Sequence, residues 1–424
     1  MYAAHIRWLY YWICYLLFIL TLFAGLTYNM GMKKYVMRTV KLISLIMAVV
    51  LSALFLQNFV LCHIDHNKLR VDGFYLEDEN SLDVVLTGAS EIYTGFAPGL
   101  AYEKFGFTSY PYATASITAG AALTQIKEIE RTQDPKLIMI EINPFVYPDD
   151  VNESKEGSIR KYIDAVPLNE NKIEYVDRLD PEHKEEYYFP LIKYHSSWDE
   201  YPGGIKFLGA LLGQHVRGYT LLKGYKSSIG KCRYDECFIN DKLIDDDTEA
   251  DLTAFSEEKL REVLQYCKDN EINAVFFRAP HLVRDIDYES FCMTNRAGKI
   301  INSYGFDFIN FERDPVTNEY APCLFYNVQH LNAYGSEKFT RYLGGIISKK
   351  YGVGESELTR AQKRHWNEAA DYYDQFYKCC DDLLKEVTEM TPPVLIDEDL
   401  GEVNTMTEIE EDLFGMSEIK KHNK

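Results

Sequence analysis

LDVVLTGASEIYTG, residues 82–95, decides the architecture. Its first seven residues form a short apolar run that closes on Gly88, which reads as a parallel strand buried on both faces. A helix is expected directly after, so Ser90 falls in the turn at the C-terminal edge of a sheet. In open α/β sheets that edge is where ligands sit.

The same rhythm continues outward. TSYPYATAS (108–116) reads as a second strand, residues 119–131 as a helix, and KLIMIEI (136–142) as a third, buried strand. SEEKLREVLQYCKDN (256–270) is an amphipathic helix expected to open on a serine cap with early acids. INAVFFRAP (272–280) is a further strand, residues 296–303 a helix, GFDFINF (305–311) the last strand and GSEKFTRYLGGIISKKY (335–351) the last helix of the domain. Strands alternating with helices imply an α/β fold with a parallel sheet covered on both faces. The domain should span residues 69–352. Residues 144–248, rich in Tyr, Asp, Glu and Lys, read as an insertion over the same sheet edge. A charged amphipathic helix is expected within 353–390, and 391–424 is an acidic, polar tail of disordered composition.

The chain has 424 residues, 46% hydrophobic and 26% charged, enough for one large or two medium domains. Its formal net charge of −20 excludes a nucleic-acid surface, which needs a basic face. It equally disfavours docking on anionic lipid through a polybasic patch. The apolar residues concentrate at the start. Residues 9–27 and 42–62 are charge-free runs of the length that crosses a bilayer, so they are expected to be transmembrane helices. Lys33, Lys34, Arg38 and Lys41 lie between them, which predicts a cytoplasmic loop and an extracytoplasmic main domain. Alternatively, residues from Met32 onward form a basic leader to a single anchoring span. Nine cysteines include an odd number outside the spans and suit a disulfide framework poorly; Cys232 and Cys237 could close a small loop.

No P-loop, HExxH, paired CxxC, GxGxxG or GxSxG occurs, which removes the commonest nucleotide, zinc and α/β-hydrolase readings. No metal and no cofactor is expected. Ser90 reads either as the cap of its helix or as a nucleophile whose oxyanion the helix N-terminus would stabilise. His330, in NVQHLNAYGSEKFTRYL, lies between the last strand and the last helix, at the same sheet edge. A loop histidine can be an ordinary surface residue, but the two placements together suggest a nucleophile and its base.

GASEIY (88–93), SYPYATAS (109–116), FFRAPH (276–281), PLIKYHSSW (190–198) and above all HLNAYGSEKFTRYL (330–343) resemble membrane-anchored bacterial SGNH/GDSL-type hydrolases. The GASE turn is also similar to the GSSE of the D-alanyl-lipoteichoic acid (DltD) proteins. The resemblance implies a flavodoxin-like three-layer α/β/α sandwich after one or two N-terminal spans, acting on acyl esters. By that resemblance Ser90 is the nucleophile and His330 the general base. The backbone N–H groups of Ser90 and Ala113, with the Asn143 side chain, would form the oxyanion hole. The family usually carries Asp three residues before the histidine, where this chain has Asn327. In serine proteases the equivalent change costs about 10⁴ in rate, on the order of 5.5 kcal/mol. A Ser-His dyad, or another acid such as Glu91 or Asp314, would compensate.

Tyr187, Tyr188, Tyr194, Trp198 and Tyr201 suit either sugar stacking or ordinary packing, and His195 is a candidate substrate contact. The resemblance thus implies an enzyme at the bacterial cell membrane acting on acyl esters of a cell-envelope polysaccharide, with transfer favoured over hydrolysis. Its implied partners are that polymer, the bilayer and a membrane-bound O-acyltransferase. The alternative is a catalytically impaired carbohydrate-binding or assembly subunit of the same fold.

Overall fold

A computed structural model describes residues 34–55, 65–147, 155–197, 221–227, 229–232 and 238–386. The chain divides into two units, residues 1–64 with 189–210, and residues 65–188 with 211–424.

In the first unit, helix α1 (Lys34–Phe55) begins within the basic segment and enters the second apolar run. Among the described residues, no helix is long and apolar enough to cross a membrane. The expected span at 9–27, and residues 56–62 of the other, lie outside the described residues.

The larger unit holds a five-stranded, all-parallel sheet: β1 (Val84–Gly88), β2 (Ser109–Ala113), β3 (Leu137–Glu141), β4 (Ala274–Arg278) and β5 (Asp307–Asn310), in the order β2-β1-β3-β4-β5. The first four strands are buried throughout, as their near-continuous apolar sequences require. Alternate residues feed two cores. Val85, Ile138, Ile140 and Phe276 join one cluster with Ile126, Leu260, Val263 and Ile300. Val84, Leu86, Met139 and Phe277 join another with Phe339, Leu343 and Ile347. Helices therefore cover both faces, the α/β arrangement expected from the alternating sequence.

The elements that place the site are short. After β1 comes α2 (Ser90–Gly95), then α3 (Pro98–Phe105), α4 (Ala119–Thr132), α5 (Ala254–Asp269), α6 (Tyr288–Tyr304), α7 (Ala333–Lys350) and α8 (Arg360–Glu386). The cap of α5 differs from expectation: Thr253 Oγ1 accepts from the Ser256 amide at 3.1 Å, so the helix starts before the serine. Between β3 and α5, the described residues 156–188 form further helices, not strands.

Gly88 permits the turn at the end of β1. Its φ is +144°, and a Cβ there would stand 2.7 Å from the Glu141 Cβ, so neither backbone nor space admits a side chain.

Cys267, Cys292, Cys323, Cys379 and Cys380 are free thiols. The 232–237 loop falls partly outside the described residues, so a Cys232–Cys237 link lies there too.

Candidate active site

The turn after β1 gives Ser90 the first position of α2. Ala89, which has no polar side chain, is the N-cap. Ser90 therefore does not cap its helix; its Oγ lies 2.7 Å from His330 Nε2, across 240 residues of sequence. Both residues are half-buried, so the pair remains reachable from outside.

His330 is held by the loop 325–332. Phe325 and Leu331 form a bridge, the Tyr326 amide donates to the His330 carbonyl at 2.8 Å, and the Leu282 amide donates to Val328 O at 2.8 Å. The rest of the HLNAYG segment explains itself physically. Leu331 enters the core beside Phe339. Asn332 is fully buried; its Oδ1 caps α7 through the Tyr334 and Gly335 amides, while its Nδ2 donates to the Gly230 and Cys323 carbonyls. Gly335 approaches so closely that a Cβ would stand 2.1 Å from Leu324 O. The motif thus specifies a clamp that points one imidazole at one serine.

Asn327 decides the tautomer. Its Oδ1 lies 3.0 Å from the Gln329 amide, 2.9 Å from the His330 amide and 2.9 Å from His330 Nδ1. Backbone amides only donate, so the atom facing them must be the side-chain oxygen. Nδ1 then carries the proton, and Nε2 is the free base that accepts from Ser90. The large penalty known when asparagine replaces the triad acid in serine proteases comes from the wrong tautomer. Here the backbone of the same turn prevents that fault. What remains missing at position 327 is negative charge.

Asp314 does not supply it. Its Oδ1 accepts from the Val316 and Thr317 amides, and its Oδ2 from Tyr342 Oη at 2.9 Å. Glu91 is differently placed. It follows Ser90 directly and is buried, with Oε1 2.5 Å from Asn143 Nδ2 and 3.7 Å from His281 Nε2.

Around it lies a cluster contributed by the ends of three more strands. Arg278, at the end of β4, donates through Nε to Glu312 Oε1 at 2.9 Å and through Nη1 to Asn143 Oδ1, and stands 3.9 Å from Glu141. His281 Nδ1 donates to Glu312 Oε1 at 2.8 Å. The Asn143 amide donates to Glu141 Oε2 at 2.9 Å. Every member is at most 6% exposed, which makes their charges strongly interdependent.

Burial alone would raise the Glu91 carboxyl, but its interaction with His281 and the charges of His330 and His281 hold it below the ordinary range. Burial and the Glu91 charge instead push Glu141 up to about 8, against the opposing pull of Arg278. Burial also raises Glu312, yet Arg278 and His281 keep it low. Burial and Arg278 depress His281, and its contacts with Glu312 and Glu91 reverse this and raise it.

Glu141 carries a stability prediction. Its folded value is above its unfolded one, so its favourable contribution is complete below about pH 4.5 and lost as pH rises through about 8. Stability should therefore fall between about pH 4.5 and 8, and Glu141→Gln should flatten that limb in chemical unfolding at several pH values. An unchanged slope would mean that Glu141 is ionised throughout.

The expected oxyanion donors divide. Ser90 N, at the first helical position, has no intrahelical acceptor. Ala113 lies at the end of β2; Thr114 N donates to Gly88 O at 3.3 Å, so strand alternation turns the Ala113 amide away from β1. Both amide protons of Asn143 face other partners, Glu91 and Tyr147 Oη, the latter at 2.8 Å. An incoming oxyanion would have to displace the Tyr147 contact to use one of them.

The aromatic candidates separate as well. Tyr187 is buried under the Arg160 guanidinium, 4.0 Å from its ring centre, and is a packing residue. Tyr188 Oη donates to Asp177 at 3.1 Å. Tyr194 follows the short helix Pro190–Lys193, and exposed His195 donates from Nδ1 to Ile192 O at 2.7 Å, closing that turn. Those two belong to the first unit. Trp198 and Tyr201 lie outside the described residues.

Sequence reading assigned no role to Arg278, His281, Glu141 or Glu312. A signal for them existed: each is a charged or titratable residue at or just beyond the C-terminal end of an apolar strand, and two fall within FFRAPH. Among the described residues no group of acids, histidines and cysteines is arranged to hold a metal ion.

No protein-family model matches the chain. No curated protein matches it by sequence.

Proposed function

We propose that this protein is an extracytoplasmic, membrane-anchored serine acyl-esterase or O-acyltransferase of SGNH type, acting on acyl esters of a cell-envelope polysaccharide. One observation carries the reading: Ser90 Oγ lies 2.7 Å from the unprotonated Nε2 of His330, whose Nδ1–H is held by Asn327 Oδ1. The strand order supports the finer fold, because 2-1-3-4-5 is the flavodoxin-like order. Ser90 and Asn143 follow β1 and β3, the neighbours at its switch point, where such folds bind ligands.

The chemistry follows from the tautomer. His330 Nε2 takes the Ser90 hydroxyl proton as Oγ bonds to the acyl carbon, and the carbonyl electron pair moves onto oxygen. The Ser90 amide is the best-placed described donor to that oxyanion. When the tetrahedral species collapses, the C–O bond to the alcohol breaks and the His330 proton goes to the leaving oxygen. Water or a sugar hydroxyl then repeats the sequence in reverse. A sugar acceptor gives transfer, and a membrane O-acyltransferase beside it would supply the acyl group.

Anchoring through residues 9–27 and 42–62 rests on their charge-free apolar sequences, and for the second run the exposed face of α1 agrees with it. Its side chains Leu42, Leu45 and Val49 are 58–63% exposed, a row of apolar surface that lipid would cover. The full chain should stay with membranes after an alkaline wash and leave them only in detergent; release by the wash would remove the anchor from the proposal.

Covalent labelling tests the activity. The detergent-solubilised full chain should react with a fluorophosphonate and release acetate from an activated acetyl ester. A folded protein that does neither, as wild type or as Asn327→Asp, would favour the assembly-subunit alternative.

A further inference from the structure

We propose that the buried chain Glu312–His281–Glu91 is the charge support of the catalytic histidine, with Glu91 as the counter-ion that position 327 lacks. This inference rests on the proposed Ser90–His330 chemistry and names three positioning residues for it.

Asn327 supplies geometry without charge. It fixes the His330 ring and tautomer through three N–H contacts to one oxygen, but it is neutral. An imidazolium formed in a half-buried site without a carboxylate is poorly stabilised. On the nucleophile's side, the buried carboxylate bonded in sequence to Ser90 is Glu91. Glu91 Oε1 is fixed by Asn143, and its buried Oε2 takes no hydrogen bond from any described residue. Its Oε2 therefore has no donor among the described residues, and its charge acts across a low-dielectric interior. Consistently, the His330 charge is among the causes that keep Glu91 ionised. Such coupling is reciprocal: what His330 does for Glu91, Glu91 does for His330.

The remaining members explain why Glu91 tolerates burial. His281 stands 3.7 Å from its Oε1 and is itself held by Glu312 at 2.8 Å. Arg278 holds Glu312 at 2.9 Å and reaches Asn143, which in turn holds Glu91. Glu141, at the end of β3, is pushed toward its neutral form by burial and then by the Glu91 charge. With Glu141 pushed toward its neutral form, the Glu91 and Glu312 carboxylates face the Arg278 guanidinium and the His281 imidazole, whose charged form those two carboxylates favour. A positive charge on His330, one hydrogen bond from the residue that precedes Glu91, then falls within the field of a carboxylate whose Oε2 has no donor among the described residues. Glu91 takes no proton in this scheme; proton transfer stays between Ser90 Oγ, His330 Nε2 and the leaving oxygen.

The test is the pH profile of fluorophosphonate labelling in the detergent-solubilised full chain, for wild type, Glu91→Gln, Asn327→Asp and the double variant. Glu91→Gln keeps the shape but removes the charge. Its acid limb should move down by about one pH unit, with a plateau rate reduced roughly tenfold or more. Asn327→Asp should gain less than about threefold in wild type, and should restore about tenfold in the Glu91→Gln background, because either carboxylate suffices. An unshifted acid limb in folded Glu91→Gln would overturn the inference and leave the function standing. So would an equal gain from Asn327→Asp in both backgrounds. If Glu91→Gln does not fold, a gain of tenfold or more from Asn327→Asp alone would show the site lacking its charge and overturn the inference by itself. Absence of labelling in folded wild type and folded Asn327→Asp would overturn the proposed function, and the inference with it.

Discussion

Ser90→Ala is expected to abolish fluorophosphonate labelling and to lower ester cleavage on the order of 10⁴-fold or more, with little change in stability. The size follows from chemistry. Ser90 Oγ is the hydroxyl within hydrogen-bond distance of His330 Nε2, and alanine leaves nothing to form the acyl-enzyme. Stability should hardly move, because Ser90 is half-buried and Ala89, not Ser90, is the N-cap of its helix. Labelling that persists in Ser90→Ala would place the reactive group elsewhere. A folded variant that retains full biological function without labelling would assign the protein to the assembly-subunit alternative.

Arg278→Met is expected to be the most destabilising exchange at the site, by about 3–5 kcal/mol. The guanidinium is buried, donates to Glu312 and Asn143, and stands near Glu141. Methionine fills much of the volume but removes the guanidinium that faces the buried carboxylates and leaves only His281 to hold Glu312. Thermal unfolding should fall on the order of 10 °C. The sign of the pH effect is also set. Without Arg278, Glu312 loses the charge that keeps its carboxyl low, so its folded value rises toward and past the unfolded one. Its contribution is then lost at high pH, and the variant should recover part of its deficit on acidification. Equal stability of Arg278→Met and wild type at pH 8 would mean that the carboxylates are neutral already and that the charge balance argued for the cluster is wrong.

Much of the larger unit was legible from apolar runs. LDVVLTG, KLIMIEI and INAVFFRAP are short, continuous and bounded by turns, and their burial on two sides leaves little else for them to be. Helix starts were less legible. The serine in SEEKLR looked like a cap, but Thr253 lies three residues earlier and fills that role, since caps depend on which local φ and ψ the packed chain adopts. Aromatic roles were not legible at all: Tyr187 under Arg160 differs from a sugar platform only by what is packed above it.

The sequence by itself determined the α/β class, the place of Ser90 just after the first apolar run and that of His330 in the loop between the last strand and the last helix, because strand burial and turn placement are written in local patterns. Only the tertiary structure decided that Ser90 Oγ meets Nε2 and that Asn327 presents its oxygen. It also assembled Glu91, Glu141, Arg278, His281 and Glu312 from four strand ends into one buried cluster. The reason is physical. A hydrogen bond across 240 residues, and the protonation of a group buried among four others, depend on distances that no local pattern encodes.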